Sequence, residues 1–431
     1  MAAARASDIA ARIERDIRES RLGPGAALPA VRALARQLGV SPGTVAAAYR
    51  SLRQRGLVGG QGRRGTRVSA RPPLPVRPPE AVSPRLRDLA TGNPDPALLP
   101  PLPAMRPAAS PLYGASSHLP ELLRLARRQL AADGIPTAQV TLMGGALDAI
   151  ERVLQAHLRP GDRVAVEDPG YPGVLDLVAA LGLVPEPVPL DDSGVQADGL
   201  RRALRAGATA CVLTPRAQNP TGAAFDERRV RALRQVLEMF PDVLVIEDDH
   251  AGPVAGAPPL TLCDQARGRW AVVRSVSKWL GPDLRLAILA GDAETVARVH
   301  GRQALGAGWV SHLLQRIVLR LWSDPGTARR LASAAATYAR RRDALVQSLA
   351  ARGVAAHGRS GLNVWVPVAE EAAIVTHLAA AGWAVRAGER YRLKSRPAVR
   401  VTVSALEEHE APRFAADFAA ALRPTRAVHS A

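Results

Sequence analysis

Among its 431 residues the chain carries 55 arginines and only two lysines, Lys278 and Lys394. Where a cation merely has to solvate a surface, this chain almost always uses arginine. A surviving lysine is therefore a candidate for chemistry that a guanidinium cannot perform, above all formation of an imine. Lys278 stands in the run Ser275-Val276-Ser277-Lys278-Trp279-Leu280-Gly281-Pro282-Asp283-Leu284-Arg285, at the end of an apolar stretch. Imine chemistry with a phosphorylated carbonyl needs the amine on a rigid element and phosphate donors close by. Ser275 before the lysine and Arg285 after it can reach one phosphate. Gly144-Gly145-Ala146 opens a helical pattern from Leu147 to His157, whose free N–H groups and positive dipole end form a further anion site. Lys394 has no such surroundings and reads as a solvated surface residue.

The elements that must position these residues follow from hydrophobic period. Short β-rich runs at Arg163–Val166, Thr209–Leu213, Val243–Ile246, Ala271–Val276 and Leu286–Ala290 alternate with helical patterns. Such alternation predicts an α/β domain with a mainly parallel sheet, and open sheets of that kind bind ligands at their strands' carboxyl ends. A long helix and then mixed strands and helices, roughly 330–424, predict a smaller α+β subdomain. At the front, Ile9, Ile13 and Ile17 mark one amphipathic helix and Val31, Leu34 and Leu38 a second. After the Leu38-Gly39-Val40 turn, Ser41 is placed as N-cap and Pro42 as first residue of a third helix reaching about Gln54, with Val45, Ala48, Tyr49 and Leu52 on its inner side. Glycine-rich residues 59–65 between two short β runs read as a wing. Six prolines between Arg71 and Pro84 form a semi-extended linker. The expected layout is thus 1–70, a linker at 71–85, and a large domain at 86–424 with its larger subdomain at about 110–325.

Charge agrees with that division. Residues 1–79 hold 15 arginines against 4 acids, whereas the rest of the chain is nearly balanced within a net charge of +18. A strongly basic front on a balanced body points to a polyanion-binding module there. The absence of a long uncharged apolar run excludes a membrane span. With only two cysteines and no signal-peptide pattern, the expectation is a cytoplasmic protein without disulfides or a metal site.

The front segment, from the Gly23-Pro24-Gly25 turn through Leu38-Gly39-Val40-Ser41-Pro42-Gly43-Thr44-Val45 to the Gly/Arg wing, resembles the GntR-type winged helix. The resemblance implies binding to a double-stranded DNA operator, with the third helix in the major groove. It places Arg32, Ser41, Thr44 and Tyr49 against phosphates or base edges, and Arg63, Arg64 and Gly65 in the wing contact.

The lysine run resembles the Schiff-base motif of fold-type I aminotransferases, in the form found in MocR-type regulators. The implied fold is an N-terminal winged helix-turn-helix joined to an α/β fold-type I domain that binds pyridoxal 5'-phosphate on Lys278. Further segments match: Ile246-Glu247-Asp248-Asp249, Thr214 to Gly222, and Glu167-Asp168-Pro169-Gly170-Tyr171. By resemblance Asp248 faces the pyridine nitrogen, with Asp249 as the competing choice, and Asn219 bonds the ring oxygen. Tyr171 stacks on the ring, Gly145 and Ala146 join Ser275 and Arg285 at the phosphate, and Arg400 binds a ligand's α-carboxylate. His250 stands where the family has a tyrosine; it can donate the same hydrogen bond, but with a charge that varies near neutral pH. The resemblance also implies a homodimer whose sites borrow residues across the interface, Tyr113 being a candidate.

The resulting expectation is a regulator that senses a small amino compound through imine exchange at Lys278. The alternatives are a working aminotransferase with an appended DNA-binding domain, and a repressor whose large domain is a vestigial scaffold.

Overall fold

A computed structural model of the chain describes residues 6–18, 21–23, 25–54, 57–60, 65–68, 82–104 and 111–423. The chain divides into two compact units, one built on the N-terminal residues and the other on most of the chain after Val82. Arg63, Arg64 and most of the proline-rich linker lie outside the described residues.

The N-terminal unit contains α1 (Ala6–Arg18), α2 (Val31–Leu38), α3 (Pro42–Gln54) and an antiparallel pair, β1 (Val58–Gly60) with β2 (Thr66–Val68). α2 stops at Gly39, whose φ of +62° suits a residue without a Cβ. The hydroxyl of Ser41 then accepts from the Thr44 amide at 3.1 Å and caps α3. Ile9, Ile13, Val45, Ala48, Leu52, Val58 and Val68 form the core of this unit. Tyr49 belongs to that core too: it is 1% exposed, and its hydroxyl donates to the Pro29 carbonyl at 2.8 Å. The expected contact of Tyr49 with DNA is therefore corrected. The helical period that turns Val45 and Leu52 inward turns Tyr49 with them.

The second unit continues with β3 (Arg87–Asp88), α4 (Pro120–Ala132), β4 (Gln139–Met143), α5 (Ala146–His157), β5 (Arg163–Asp168), α6 (Pro172–Ala180), β6 (Val184–Asp191), β7 (Gly194–Val195), α7 (Ala197–Arg205), β8 (Ala208–Leu213), α8 (Glu227–Glu238), β9 (Leu244–Asp249), β10 (Trp270–Ser275) and β11 (Ala287–Gly291). After α9 (Ala293–Ala304), α10 (His312–Ser323) and the long α11 (Pro325–Ala350) come β12 (Asn363–Pro367), α12 (Glu371–Ala380), β13 (Trp383–Ala384), β14 (Arg386–Ala387), β15 (Ala398–Thr402) and α13 (Ala411–Ala421).

The large sheet has the order β4-β11-β10-β9-β8-β5-β6-β7. β5, β8, β9 and β10 are parallel, and β11 runs against both of its neighbours. Its reversal follows from the connection: residues 276–286 lack a crossover helix, so the chain returns antiparallel. Val245, Val272, Leu142 and Ile288 are fully buried or nearly so, as strands covered on both faces must be. β4, β5, β8, β9 and β10 all end at one edge of the sheet, where β11 begins. The residues following those ends therefore converge.

The smaller subdomain pairs β12 and β14 with β15, packed by Leu345, Trp383, Phe414 and Phe418. β3 joins it by parallel pairing with β13, so the chain enters the small subdomain before it builds the large one. The sequence did not indicate this crossing.

Trp279 anchors the lysine loop. It is fully buried, packs edge-on against Trp322 at 5.3 Å, and its Nε1 donates to the Ser275 carbonyl at 2.6 Å. Trp279→Ala is expected to cost roughly 3–5 kcal/mol in chemical denaturation. Tyr49→Phe is expected to cost about 1 kcal/mol and to leave DNA affinity within about twofold, measured by fluorescence anisotropy; a larger loss at full folding would restore a direct contact.

Candidate functional site

A cleft of about 460 Å³ lies at the converging strand ends, lined by Ala146, Tyr171, Asn219, Asp248, His250, Ser275, Lys278, Arg285 and Arg400. Every large-domain residue singled out for the cofactor lines it, apart from Gly145, which adjoins it through Arg285.

β9 sorts its three acids by alternation. Glu247 points away from the cleft and is bonded by the Thr261 hydroxyl at 2.6 Å and the Leu262 amide at 2.5 Å. Asp249, on the same face, is clamped between two buried arginines: Arg216 donates through Nε at 2.9 Å and Nη2 at 2.8 Å, and Arg274 through Nε at 2.7 Å. Burial alone pushes Asp249 up, but Arg274 and Arg216 outweigh it and hold the carboxyl well below the usual range. Asp248 faces the cleft. It is 5% exposed, and its Oδ1 has no hydrogen-bond partner. Burial, then the neighbouring Asp249 and Glu167, push it up to about 7. The two aspartates thus differ in their bonding: Asp249 is spent on arginines, and Asp248 faces the cleft with Oδ1 unbonded.

Lys278 Nζ donates to the Gly92 carbonyl at 2.7 Å. Burial, then the charge of Arg400, bring the amine down to about 8. At the anion end, Arg285 lies so close to Gly145 that a Cβ there would meet its Nη2 at 2.7 Å. Gly145 has φ of +121° and Arg285 itself adopts φ of +37°, a left-handed conformation that a non-glycine residue holds only under constraint. Asp148 accepts from the Gly144 amide at 2.9 Å and shapes the loop entering α5, whose first amides have no partner within the helix. Ser277, next to the lysine, also lines the cleft and bonds Ser275 Oγ at 3.1 Å.

Arg400 is 3% exposed. Its Nη1 donates to Asn219 Oδ1 at 3.2 Å, its Nη2 to the Ala90 carbonyl, and its guanidinium lies 5.2 Å from the Tyr391 ring centroid. Its Nε is buried without a partner. Sequence reasoning missed Tyr391, Arg386, Arg390 and the segment Ala90–Gly92, all of which line the cleft. Arginines in a chain saturated with arginine carry no signal.

His250 differs from expectation. Burial, then the charge of Lys278, hold it down to about 4, so it is neutral throughout the physiological range. Its Nε2 lies 2.8 Å from the Ala217 carbonyl oxygen. A carbonyl only accepts, so Nε2 carries the ring's single proton and Nδ1 is left as an acceptor. The variable charge expected of His250 is corrected, and so is its ability to donate to a ring oxygen.

These residues fit pyridoxal phosphate: an amine of lowered basicity, an unpartnered buried carboxylate for a ring nitrogen, and a cradle of glycine, serine and arginine for a phosphate. Among the described residues no cluster of three or more His, Cys, Asp or Glu side chains could hold a metal ion, and no helix is long and apolar enough to cross a membrane. Lys394 is exposed.

On the N-terminal unit, Arg32 and Ser41 are exposed and Thr44 is half-buried. Arg50 and Arg53, the two basic residues of α3, are exposed. Gly65 has φ of +80° in the wing.

Residues 109–418 match the family described as aminotransferase class I and II, and residues 5–68 the gntR family of bacterial regulatory proteins. Over 403 residues the chain is 43% identical to the vitamin B6 salvage pathway transcriptional repressor PtsJ of Salmonella typhimurium, covering 92% of this chain and 93% of that one. It is 32% identical to the pyridoxine biosynthesis transcriptional regulator PdxR of Corynebacterium glutamicum, over 55% of this chain and 54% of the relative. Among solved structures, the α-aminoadipate aminotransferase LysN of Thermus thermophilus superposes with a TM-score of 0.68 at 20% identity, covering 78% of this chain and 92% of that one. That structure is a complex with N-(5'-phosphopyridoxyl)-L-leucine; at that identity the likeness concerns the fold.

The unpartnered carboxylate yields a test with opposite signs. Because the folded protein holds Asp248 up near 7, its ionisation opposes folding, and the penalty grows as pH rises from the ordinary carboxylate range to about 7. Asp248→Asn is expected to raise the melting temperature of the cofactor-free protein at pH 8 by about 2–4 °C. The same variant should weaken pyridoxal phosphate binding about tenfold or more. An unchanged melting temperature at pH 8 would show that the carboxylate already has a partner.

Proposed function

The chain belongs to the aminotransferase class I and II family and carries a GntR-type DNA-binding module, which makes it a transcription regulator of the MocR type; from that premise we propose that it reads an amino compound at Lys278 and transmits the result to DNA. The observation that carries the reading is the pairing, in one cleft, of a lysine of lowered basicity with a buried carboxylate oxygen that has no partner.

Bound there, pyridoxal phosphate supplies an aldehyde with which either Lys278 or an incoming primary amine can condense, and exchange between the two is the sensed event. Asp248 would hold a proton on the ring nitrogen and Asn219 would supply a hydrogen bond to the ring oxygen. Tyr171 would stack on the ring. Arg285, Ser275, Gly145 and Ala146 would receive the phosphate. Arg400, buried and with Nε unpartnered, receives the ligand's carboxylate. Lys278 would give up its bond to the Gly92 carbonyl on condensing with the cofactor and could remake it once an amine displaced it, so the exchange would act on a segment tied to the small subdomain.

His250 favours sensing over turnover, because its one proton is committed to Ala217 and it cannot take over a tyrosine's donor role. Arg32, Ser41, Thr44, Gly65, Arg63 and Arg64 are the proposed DNA contacts, together with Arg50 and Arg53. A homodimer is supported by exposed Leu112 and Tyr113, the latter stacked edge-on against Trp309 at 5.7 Å. Likeness to the vitamin B6 salvage repressor suggests that the regulated genes serve vitamin B6 salvage.

The test uses full-length protein, wild type beside Lys278→Ala, with pyridoxal phosphate and duplex DNA selected from a random pool. Wild type is expected to show a lysine-dependent visible band whose appearance accelerates up to about pH 8 and then levels off. Amino compounds should alter that band and shift DNA affinity about fivefold or more, with no shift in Lys278→Ala. The absence of a lysine-dependent band overturns the reading.

A further inference from the structure

A neutral histidine donates through one ring nitrogen and accepts through the other. For His250 the loop that carries Asn219 fixes which is which. Ala217 has a Cβ yet holds φ of +55°, a left-handed conformation that costs such a residue energy. It is kept there by the fully buried Ser360, whose hydroxyl accepts from the Ala217 amide at 2.9 Å. So held, the Ala217 carbonyl oxygen lies 2.8 Å from His250 Nε2 and takes the ring's one proton.

Nδ1 is left with a lone pair. It has no bond among the described residues, and the half-buried ring lines the cleft beside Lys278 and Asn219. The charged groups that act on the ring are Lys278, Asp249 and Arg216, the last two bonded to each other. Asn219 is sorted in the same way. Arg400 only donates, so the Oδ1 it reaches at 3.2 Å is the acceptor of Asn219, and the Nδ2 donor remains for the cleft. One donor, Asn219 Nδ2, and one acceptor, His250 Nδ1, therefore serve the end of the cleft assigned to the cofactor's ring oxygen. A hydroxyl satisfies both. An oxide satisfies only the donor and sets its charge against a lone pair.

We propose that His250 accepts a hydrogen bond, through Nδ1, from the ring hydroxyl of bound pyridoxal phosphate and biases that oxygen toward its protonated form, the reverse of what a donor at this position would do. The inference rests on the reading of this cleft as a pyridoxal phosphate site with Asn219 at the ring oxygen; it does not require that an amine be sensed. A hydrogen bond that favours the neutral form of an acid raises the pH at which the acid ionises. His250 thus tunes the cofactor without touching its aldehyde.

The test uses pyridoxine 5'-phosphate, which keeps the ring, the hydroxyl and the phosphate but carries an alcohol in place of the aldehyde, so that it cannot condense with Lys278. Bound to the full-length protein, its hydroxyl and oxide forms are distinguished by ultraviolet absorbance, the oxide absorbing at longer wavelength. The hydroxyl is expected to ionise about one pH unit or more higher in wild type than in His250→Tyr, which puts a donor there. His250→Phe, with neither donor nor acceptor, should fall between the two. Either variant alone decides the sign, should the other fail to fold. Ionisation at the same pH in wild type and variants overturns the proposal, and so does ionisation at lower pH in wild type.

If the analogue does not bind, the placement of the cofactor in this cleft fails, and the proposal with it. If it binds with the expected shift while no amino compound alters the band of the pyridoxal phosphate-loaded protein, the role of His250 stands and only the sensing of an amine fails.

Discussion

The site depends on one buried ionic cluster, in which Arg216 and Arg274 clamp the carboxylate of Asp249, and Arg274 also reaches Asp133 at 2.6 Å. Each member lies on a different element: Arg216 in the loop that leads to Asn219, Asp249 at the end of β9, Arg274 near the end of β10, and Asp133 just after α4. The cluster thus fixes the relative positions of the loop that leads to Asn219, the Asp248 strand and the strand that precedes Lys278. Such a cluster is weak evidence for stability, because desolvation consumes much of the Coulombic gain. Losing a single member would leave an uncompensated buried charge, at a cost of about 3–5 kcal/mol. Its value is geometric. By satisfying Asp249 fully, it leaves the adjacent Asp248 to face the cleft with an oxygen unbonded.

A second set of bonds joins the two subdomains around the cleft. The carboxylate of Asp168, at the end of β5, accepts from the Leu393 amide at 2.9 Å, the Lys394 amide at 2.7 Å, the Ser395 amide at 3.0 Å and the Ser395 hydroxyl at 2.8 Å. The Gly170 amide donates to the Tyr391 carbonyl at 2.8 Å. On the other side, the Leu89 amide donates to Ala384 and the Thr402 amide donates to Leu89. The loop that carries Tyr171 and the segment bonded by Lys278 are therefore both tied to the subdomain that bears Arg400. Occupation of the cleft and the position of the small subdomain are one mechanical problem, which is what a sensor requires.

Electrostatics divides the groups of the cleft into those that are satisfied and those that wait. His250 is neutral and its proton committed; Asp249 is ionised and fully bonded. Burial holds Asp248, Lys278 and Arg400 each away from its ordinary protonation balance; Asp249 and Glu167 add to the effect at Asp248, and Arg400 adds to it at Lys278. Perturbed groups gathered in a cleft, beside satisfied ones that enforce their positions, are the pattern expected where binding is meant to relieve the perturbation.

What the sequence determined by itself was whatever chemistry is local. The lysine run, the Gly144-Gly145-Ala146 entry to α5 and the amphipathic helices of the front unit are contiguous patterns, and each stands in the fold where its period and spacing place it. The period of α3 even put Tyr49 on the inner face, in conflict with the DNA contact drawn from resemblance, and packing agreed with the period. What only the tertiary structure decided was everything that depends on partners distant in the chain. Asp248 and Asp249 are neighbours of the same type, and only Arg216 and Arg274 distinguish them. The proton of His250 is assigned by a carbonyl on another loop. Arg386 and Arg390 are invisible among 55 arginines until β14 sets one of them opposite Arg400. A residue's type limits the bonds it can make, but burial and the neighbour across the fold decide which of them remain unmade.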